Sequence, residues 1–130
     1  EYGTTTKRPR RCGWLDCLAL KYAVNINGIT GIAMNHLDTI GKLDKIKLCV
    51  AYDHNGKRED YFSTNEDFLT NSKPIYEEFE GNFGDISNCK SFDELPDNAK
   101  VYVKRIEDIT KTPIKFIGTG PERENIIVKD

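Results

Sequence analysis

Residues Gly3 to Asp16 read GTTTKRPRRCGWLD and run directly into the apolar segment CLALKYAVNIN. The residue types change abruptly at Asp16. Before it, Thr4, Thr5, Thr6, Lys7, Arg8, Arg10 and Arg11 lie among Gly3, Pro9 and Gly13, a mixture that predicts irregular backbone. After it, Leu18, Ala19, Tyr22, Ala23 and Ile26 recur at i, i+3 and i+4 and predict a helix over 16–27, capped by Asp16 and stopped by Gly28. Hydroxyls and guanidiniums gathered on a loop suit the holding of small anions. Arg offers a planar fork that matches a carboxylate or phosphate, and hydroxyls and loop N–H groups fill the remaining lone pairs. The same composition also fits a solvated basic loop or an import-like patch.

Working outward, Gly31 to Met34 is a short apolar run entering a polar turn, as a buried strand delivering a loop would be. Ile46–Tyr52 and Arg58–Phe62 flank Asn55-Gly56, a hairpin signal because both turn positions tolerate positive φ. Ser63 to Lys73 is polar and expected to be irregular, Ile75–Glu80 is expected as a strand, and Asn82 to Lys90 as a loop. Ser91 with Glu94 resembles a capping box, with Pro96 early in a helix that buries Ala99, Tyr102, Val103, Ile106 and Ile109. Pro113 ends that helix, and Ile114–Ile117 reads as a buried strand running into Gly118-Thr119-Gly120-Pro121. Helices and strands alternate around one antiparallel hairpin. The expected class is α/β, with a mixed, mainly parallel sheet and flanking helices. The segments 35–38 and 118–120 both follow predicted strands, where open α/β sheets bind ligands.

At 130 residues the chain has room for one core. It opens on Glu1 and enters the basic motif within three residues, as a fragment would. No apolar run approaches the ~18 residues of a membrane span, and no signal peptide is evident. The net charge is −2, yet Lys7, Arg8, Arg10 and Arg11 face only Glu1 within the first eleven residues. An acidic body with one basic mouth favours a small anionic ligand over a nucleic-acid backbone. Cys12, Cys17, Cys49 and Cys89 show no C-x-x-C spacing, and only two histidines are present, which argues against a structural zinc site. Cys17 and Cys49 lie in apolar patterns and are expected as reduced core thiols, in keeping with a cytoplasmic protein. His54, beside the hairpin turn, is expected at the surface, and the acids Glu77, Glu78, Glu80, Glu107 and Asp108 as solvated faces.

The run Gly3–Asp16 resembles the aspartate-binding loop of the adenylosuccinate synthetase family, whose pattern is close to G-x-T-T-G-R-[PR]-R-R-x-G-W-L-D. Two further stretches follow in order: GIAMNHLD at Gly31–Asp38 and GTGPER at Gly118–Arg123. Phe79–Gly81, Cys49–Tyr52 and Val103–Glu107 are also similar to this family. The resemblance covers essentially the whole chain and implies the C-terminal part, residues 1–130, of a single larger domain with a P-loop-related nucleotide-binding fold. It implies a ligase of purine biosynthesis that joins IMP to L-aspartate. The resemblance further implies GTP as co-substrate, Mg²⁺ as cofactor and a cytoplasmic homodimer for the full-length enzyme.

Carried onto this sequence, the resemblance implies that Thr4, Thr5, Thr6, Lys7, Arg8, Pro9 and Arg10 clasp L-aspartate. Arg8 would also lie near IMP, and Arg10 near the GTP phosphates. His36, Leu37, Asp38, Gly118, Thr119 and Gly120 would form the guanine site, with the Asp38 carboxylate accepting from guanine N1–H and NH₂. Lys7 stands where the family usually has Gly, and Asn35-His36 where it usually has Thr-Lys. The phosphate loop, the catalytic groups and the Mg²⁺ ligands would lie upstream, so no catalytic or metal residue is expected here. Arg11 is read as structural, pairing an acid. Two other classes remain open on the residues alone: a non-catalytic purine-nucleotide-binding module, and a nucleic-acid-binding domain using KRPRR. The second predicts aromatics interleaved with the cations, and only Tyr2 and Trp14 lie near them.

Overall fold

The computed structural model describes all 130 residues. The change of character at Asp16 is where the first helix begins. In α1 (Cys17–Asn27), Asp16 Oδ1 accepts from the Leu18 and Ala19 amides at 3.0 and 3.1 Å. Gly28, at φ 61, turns left-handed and returns its amide to the Val24 carbonyl. The helix buries Cys17, Leu18 and Val24, while Ile26 is exposed, so the inward face is rotated from the expected stripe.

Two small sheets share the core. In the first, β3 (Lys45–His54) is central, and β5 (Ser72–Glu80) runs antiparallel along one edge. The other edge is divided between β1 (Leu15–Asp16), parallel at Leu48 and Cys49, and β4 (Lys57–Glu59), antiparallel at Tyr52–His54. Asn55 and Gly56 take φ 55 and 85, as the hairpin reading requires. The returning strand stops at Glu59 rather than Phe62. β1 already occupies that edge further along β3, and Tyr61 and Phe62 turn aside to stack on Phe68 and Tyr22. The stretch expected to be irregular holds α3 (Glu66–Asn71), capped by Asn65 Oδ1 and anchored by buried Phe68. β5 therefore starts at Ser72, earlier than expected, with Pro74 tolerated on an outer strand.

In the second sheet, β2 (Ile32–Met34) lies parallel to β6 (Ile114–Gly118), and β7 (Ile126–Val128) antiparallel to β6. Two of the five pairings are parallel and three antiparallel. The mixed α/β class holds, but the sheet is not mainly parallel as expected, because β5 runs back along the whole of β3 and β7 returns along β6.

The helix α4 (Asp97–Thr110) buries Ala99, Tyr102, Val103 and Ile106 as its periodicity predicts, with Thr110 buried beyond them. The expected capping box is used differently. Ser91 closes a 3₁₀ turn (Phe92–Glu94), and Glu94 accepts from the Lys90 amide at 2.8 Å. Buried Leu95 then holds the chain extended, so α4 starts only after Pro96. Two acids expected to be solvated are instead ties. Glu77 takes a bidentate fork from Arg105 at 3.0 and 3.1 Å, joining β5 to α4. Glu107 accepts from the Ile114 amide and from Lys129 Nζ, joining α4 to β6 and the C-terminal end. Cys17, Phe79, Tyr102, Ile106, Ile114, Ile117 and Ile127 meet in one core cluster. Burial pushes the Cys17 thiol up to about 12 and the Cys49 thiol up to about 11. His54 is half-buried against Phe68 and 3.1 Å from Asp67, not free in solvent.

Candidate functional site

The basic loop closes on itself through its backbone. The Gly3 amide donates to the Arg8 carbonyl at 2.8 Å, the Lys7 amide to the Gly3 carbonyl at 2.9 Å, and the Arg10 amide to the Glu1 carbonyl at 2.8 Å. Tyr2 and Pro9 form an antiparallel bridge at the neck. Thr6 Oγ1 accepts from the Arg8 amide at 3.4 Å. Lys7 has φ 57, the left-handed region that glycine occupies most readily. The loop therefore keeps a glycine-type path with a lysine on it.

Thr4, Thr5, Thr6, Lys7, Arg8, Pro9 and Arg10 are all exposed, so their side chains are presented outward. Arg10 Nη1 meets Glu1 Oε1 at 2.8 Å across the neck. Both partners are about half exposed (53% and 50%), and such pairs exchange easily for another carboxylate. Lys7, Arg8 and Arg11 meet no acid within the chain, which removes the structural pairing expected for Arg11.

A second candidate site lies where both sheet-end segments converge. β2 is followed by Asn35-His36, with His36 at φ 63, and then by the short turn of helix α2 (Leu37–Ile40). The Thr39 and Ile40 amides both donate to the His36 carbonyl at 3.1 Å. This turn brings Asp38 to the mouth of a cleft of about 590 Å³, which Thr119, Gly120 and Pro121 line from the end of β6. The Asp38 carboxylate has no hydrogen-bond or ion-pair partner inside the chain. Thr119 is fully buried, its amide donates to the Asn125 carbonyl, and its hydroxyl has no partner. Gly120 is required by close approach: a Cβ there would lie 2.5 Å from Asn125 Oδ1. That oxygen accepts from the Glu122 amide, while Asn125 Nδ2 donates to the Ser87 carbonyl at 3.0 Å.

Sequence reading found Asp38, Thr119 and Gly120, and the fold brings these three together. His36 is exposed beside the cleft, Gly118 pairs with Ile126 in β6–β7, and the Leu37 side chain is buried in the core. Leu37 can thus present only backbone to a ligand. The opposite wall was missed. It consists of Asn82, Gly84, Asp85 and Ser87 from the loop after β5, and Lys42, just past α2, joins the lining. The local signal was Asn82 and Gly84, whose left-handed φ values of 54 and 74 bend that loop over the cleft. Asp85 is held below the usual carboxylate range by hydrogen bonds from the Ser87 hydroxyl and amide. An unpaired carboxylate, an unpaired hydroxyl, close backbone and one lysine suit a planar, donor-rich ligand with an anionic extension. No hydrogen bond or ion pair joins the loop to the cleft.

A family model described as Adenylosuccinate synthetase matches residues 1–127. The chain is 60% identical over 128 residues to the adenylosuccinate synthetase of Acetivibrio thermocellus, covering 98% of this chain and 30% of that protein. It is 50% identical over 127 residues to that of Clostridium acetobutylicum, with the same coverage of 98% and 30%. A fully ligated adenylosuccinate synthetase from Plasmodium falciparum superposes with a TM-score of 0.91 at 48% identity, over 100% of this chain and 32% of that one. The chain thus spans about 30% of the length of the curated relatives it matches. A family model matching residues 1–127, with relatives 50–60% identical along nearly the whole chain, places this chain in the adenylosuccinate synthetase family.

Proposed function

We propose that this chain is the part of an adenylosuccinate synthetase that captures L-aspartate and reads the guanine of GTP. The whole enzyme joins IMP to aspartate in purine nucleotide biosynthesis, through a 6-phosphoryl-IMP intermediate. The supporting observation is the convergence of Asp38 with Thr119 and Gly120, some eighty residues apart in sequence, on one cleft. A carboxylate accepts from both N1–H and NH₂ of guanine, whereas adenine offers an acceptor at N1. A site built on such polar readout discriminates by ~10⁴–10⁵.

In this reading the loop holds the two aspartate carboxylates with Thr4–Thr6, Lys7, Arg8 and Arg10. Arg8 reaches IMP and Arg10 reaches the GTP phosphates. The chain's part in the reaction is positioning: it gathers mutually repelling anions and holds the aspartate amine for attack on the activated carbon. Aspartate would displace the exposed Glu1 from Arg10 as it enters. Mg²⁺ supplies charge neutralisation to the phosphates when bound. No cluster of three His, Cys, Asp or Glu side chains converges in this chain, so these residues are given no metal-binding role. A homodimeric, cytoplasmic full-length enzyme completes the proposal. The test is phosphate release by a full-length protein carrying this chain. Release that requires GTP, IMP and L-aspartate together supports the ligase. Nucleotide binding without aspartate-dependent release would leave a purine-binding module instead.

A further inference from the structure

Away from the loop and the cleft, a third concavity of about 250 Å³ opens between β1, the far end of β3 and α3. Its walls are aromatic: Trp14, Tyr52, Phe62, Phe68 and Tyr76. Asp16 is the only ionisable carboxylate lining it, and no lysine or arginine does. The Asp16 carboxylate is fixed in place. Oδ1 holds the two amides at the start of α1, and Oδ2 accepts from the Tyr52 hydroxyl. Ser72, at the junction of α3 and β5, also lines the concavity, and its Oγ is buried with no hydrogen-bond partner.

Rings, one oriented negative charge and one unpaired hydroxyl are the complement of an organic cation. Aromatic faces attract an ammonium through their quadrupole, and more strongly where water is excluded. A carboxylate adds charge-assisted bonding, and Ser72 Oγ offers an acceptor for an ammonium N–H. We propose that this concavity binds a small primary ammonium ion carrying an aryl or short alkyl group. Its N–H groups would be shared between Asp16 and Ser72, and its apolar part would lie against Trp14 and Phe62. At roughly 30 Å³ per water-sized unit, the volume suits a ligand of about eight to ten non-hydrogen atoms. The proposal stands apart from the nucleotide reading and is independent of it.

A full-length protein carrying this chain would be titrated with phenethylammonium and, separately, with the neutral 2-phenylethanol, following the Tyr52 and Ser72 amide shifts and the part of the tryptophan emission that Trp14→Phe removes. The expected result is saturable binding with at least about tenfold preference for the cation, the size of effect one charge-assisted hydrogen bond supplies. Asp16→Asn keeps a side chain that caps α1 equally well. It should erase the preference for the cation over the alcohol. Ser72→Ala should weaken the ammonium about fivefold. Equal affinity for cation and alcohol in the unaltered chain overturns the proposal, as does Trp14 emission that stays flat to about 10 mM ligand. Should Asp16→Asn lower the melting temperature, the comparison in the unaltered chain decides alone.

Discussion

Asp38 carries the most information of any single residue, because its carboxylate is free of internal partners on a turn held by the Thr39, Ile40 and Gly41 amides. In a full-length protein, Asp38→Asn should weaken GTP and improve the relative use of XTP. Xanthine has a carbonyl where guanine has NH₂, and the Asn amide supplies the missing donor. Steady-state kinetics with both nucleotides check this; equal loss on both would make Asp38 a turn residue only. Arg8 is the matching residue in the loop, exposed and unpaired, with its amide tied to Thr6. Arg8→Leu should raise the aspartate KM or lower kcat by orders of magnitude, since losing a charge-assisted contact in a closed site costs roughly 2–5 kcal/mol. Unchanged kinetics would remove Arg8 from the site. Lys7 raises a different question. At φ 57 a lysine is strained relative to glycine, so Lys7→Gly should favour the observed turn by up to about 1 kcal/mol. Hydrogen exchange at the Lys7 amide, which is bonded to Gly3, should slow by up to about fivefold. Faster exchange would mean that glycine's extra freedom outweighs the relief of strain.

At the scale of elements, legibility followed locality. α1 was readable because both of its stops, Asp16 and Gly28, act within a few residues of themselves. α4 was readable from its inward stripe, but its start was not, because burial of Leu95 overrides the local Ser91–Glu94 signal. β7 is only three residues long, too short to show a period, although its partner β6 lies close by in sequence; the early start of β5 is set by pairing with Asp53 and His54 of β3, which periodicity does not record. The cleft divides the same way: Asp38 and Thr119 follow strands and were legible, while Asn82–Ser87 belongs to the site only by folding over it. The packing of α1 on β3 has a testable consequence at high pH. Cys17 and Cys49 are both buried there, and desolvation raises both thiols above the ordinary 9.0. Each thiol must be neutral to stay folded, so the unfolded chain releases its protons first as pH rises. Their stabilising contribution is complete below about pH 9 and declines from there towards the folded values of about 11 and 12. Urea unfolding midpoints should fall between pH 9 and 11, and Cys17→Ala should flatten that fall at some cost in packing. A midpoint independent of pH above 9 would show that the thiols titrate freely.

The whole molecule is asymmetric about its second sheet. One face, with Ile117 and Ile127, is completely buried. The other aligns Ala33, Phe116 and Val128 across three strands, with Ile126 beside them, and Phe116 and Val128 are 44% and 63% exposed. A contiguous apolar row facing water marks a contact surface, and the outer edge of β2 has no partner strand. Both features fit a chain that spans about 30% of its relatives' length and would pack against the remainder. On its own, the 130-residue chain should self-associate through this bare face and edge. Sedimentation from about 1 to 100 μM should show mass increasing with concentration, the range in which exposed apolar strands become troublesome. Phe116→Lys places a charge on the exposed face without disturbing the buried one, and should restore the monomer with little change in melting temperature. Association that persists in Phe116→Lys would direct attention to the free β2 edge, where a proline at Ala33 should then stop it. A chain that is monomeric across the whole range, with no response to Phe116→Lys, would mean that the apolar row is tolerated in water.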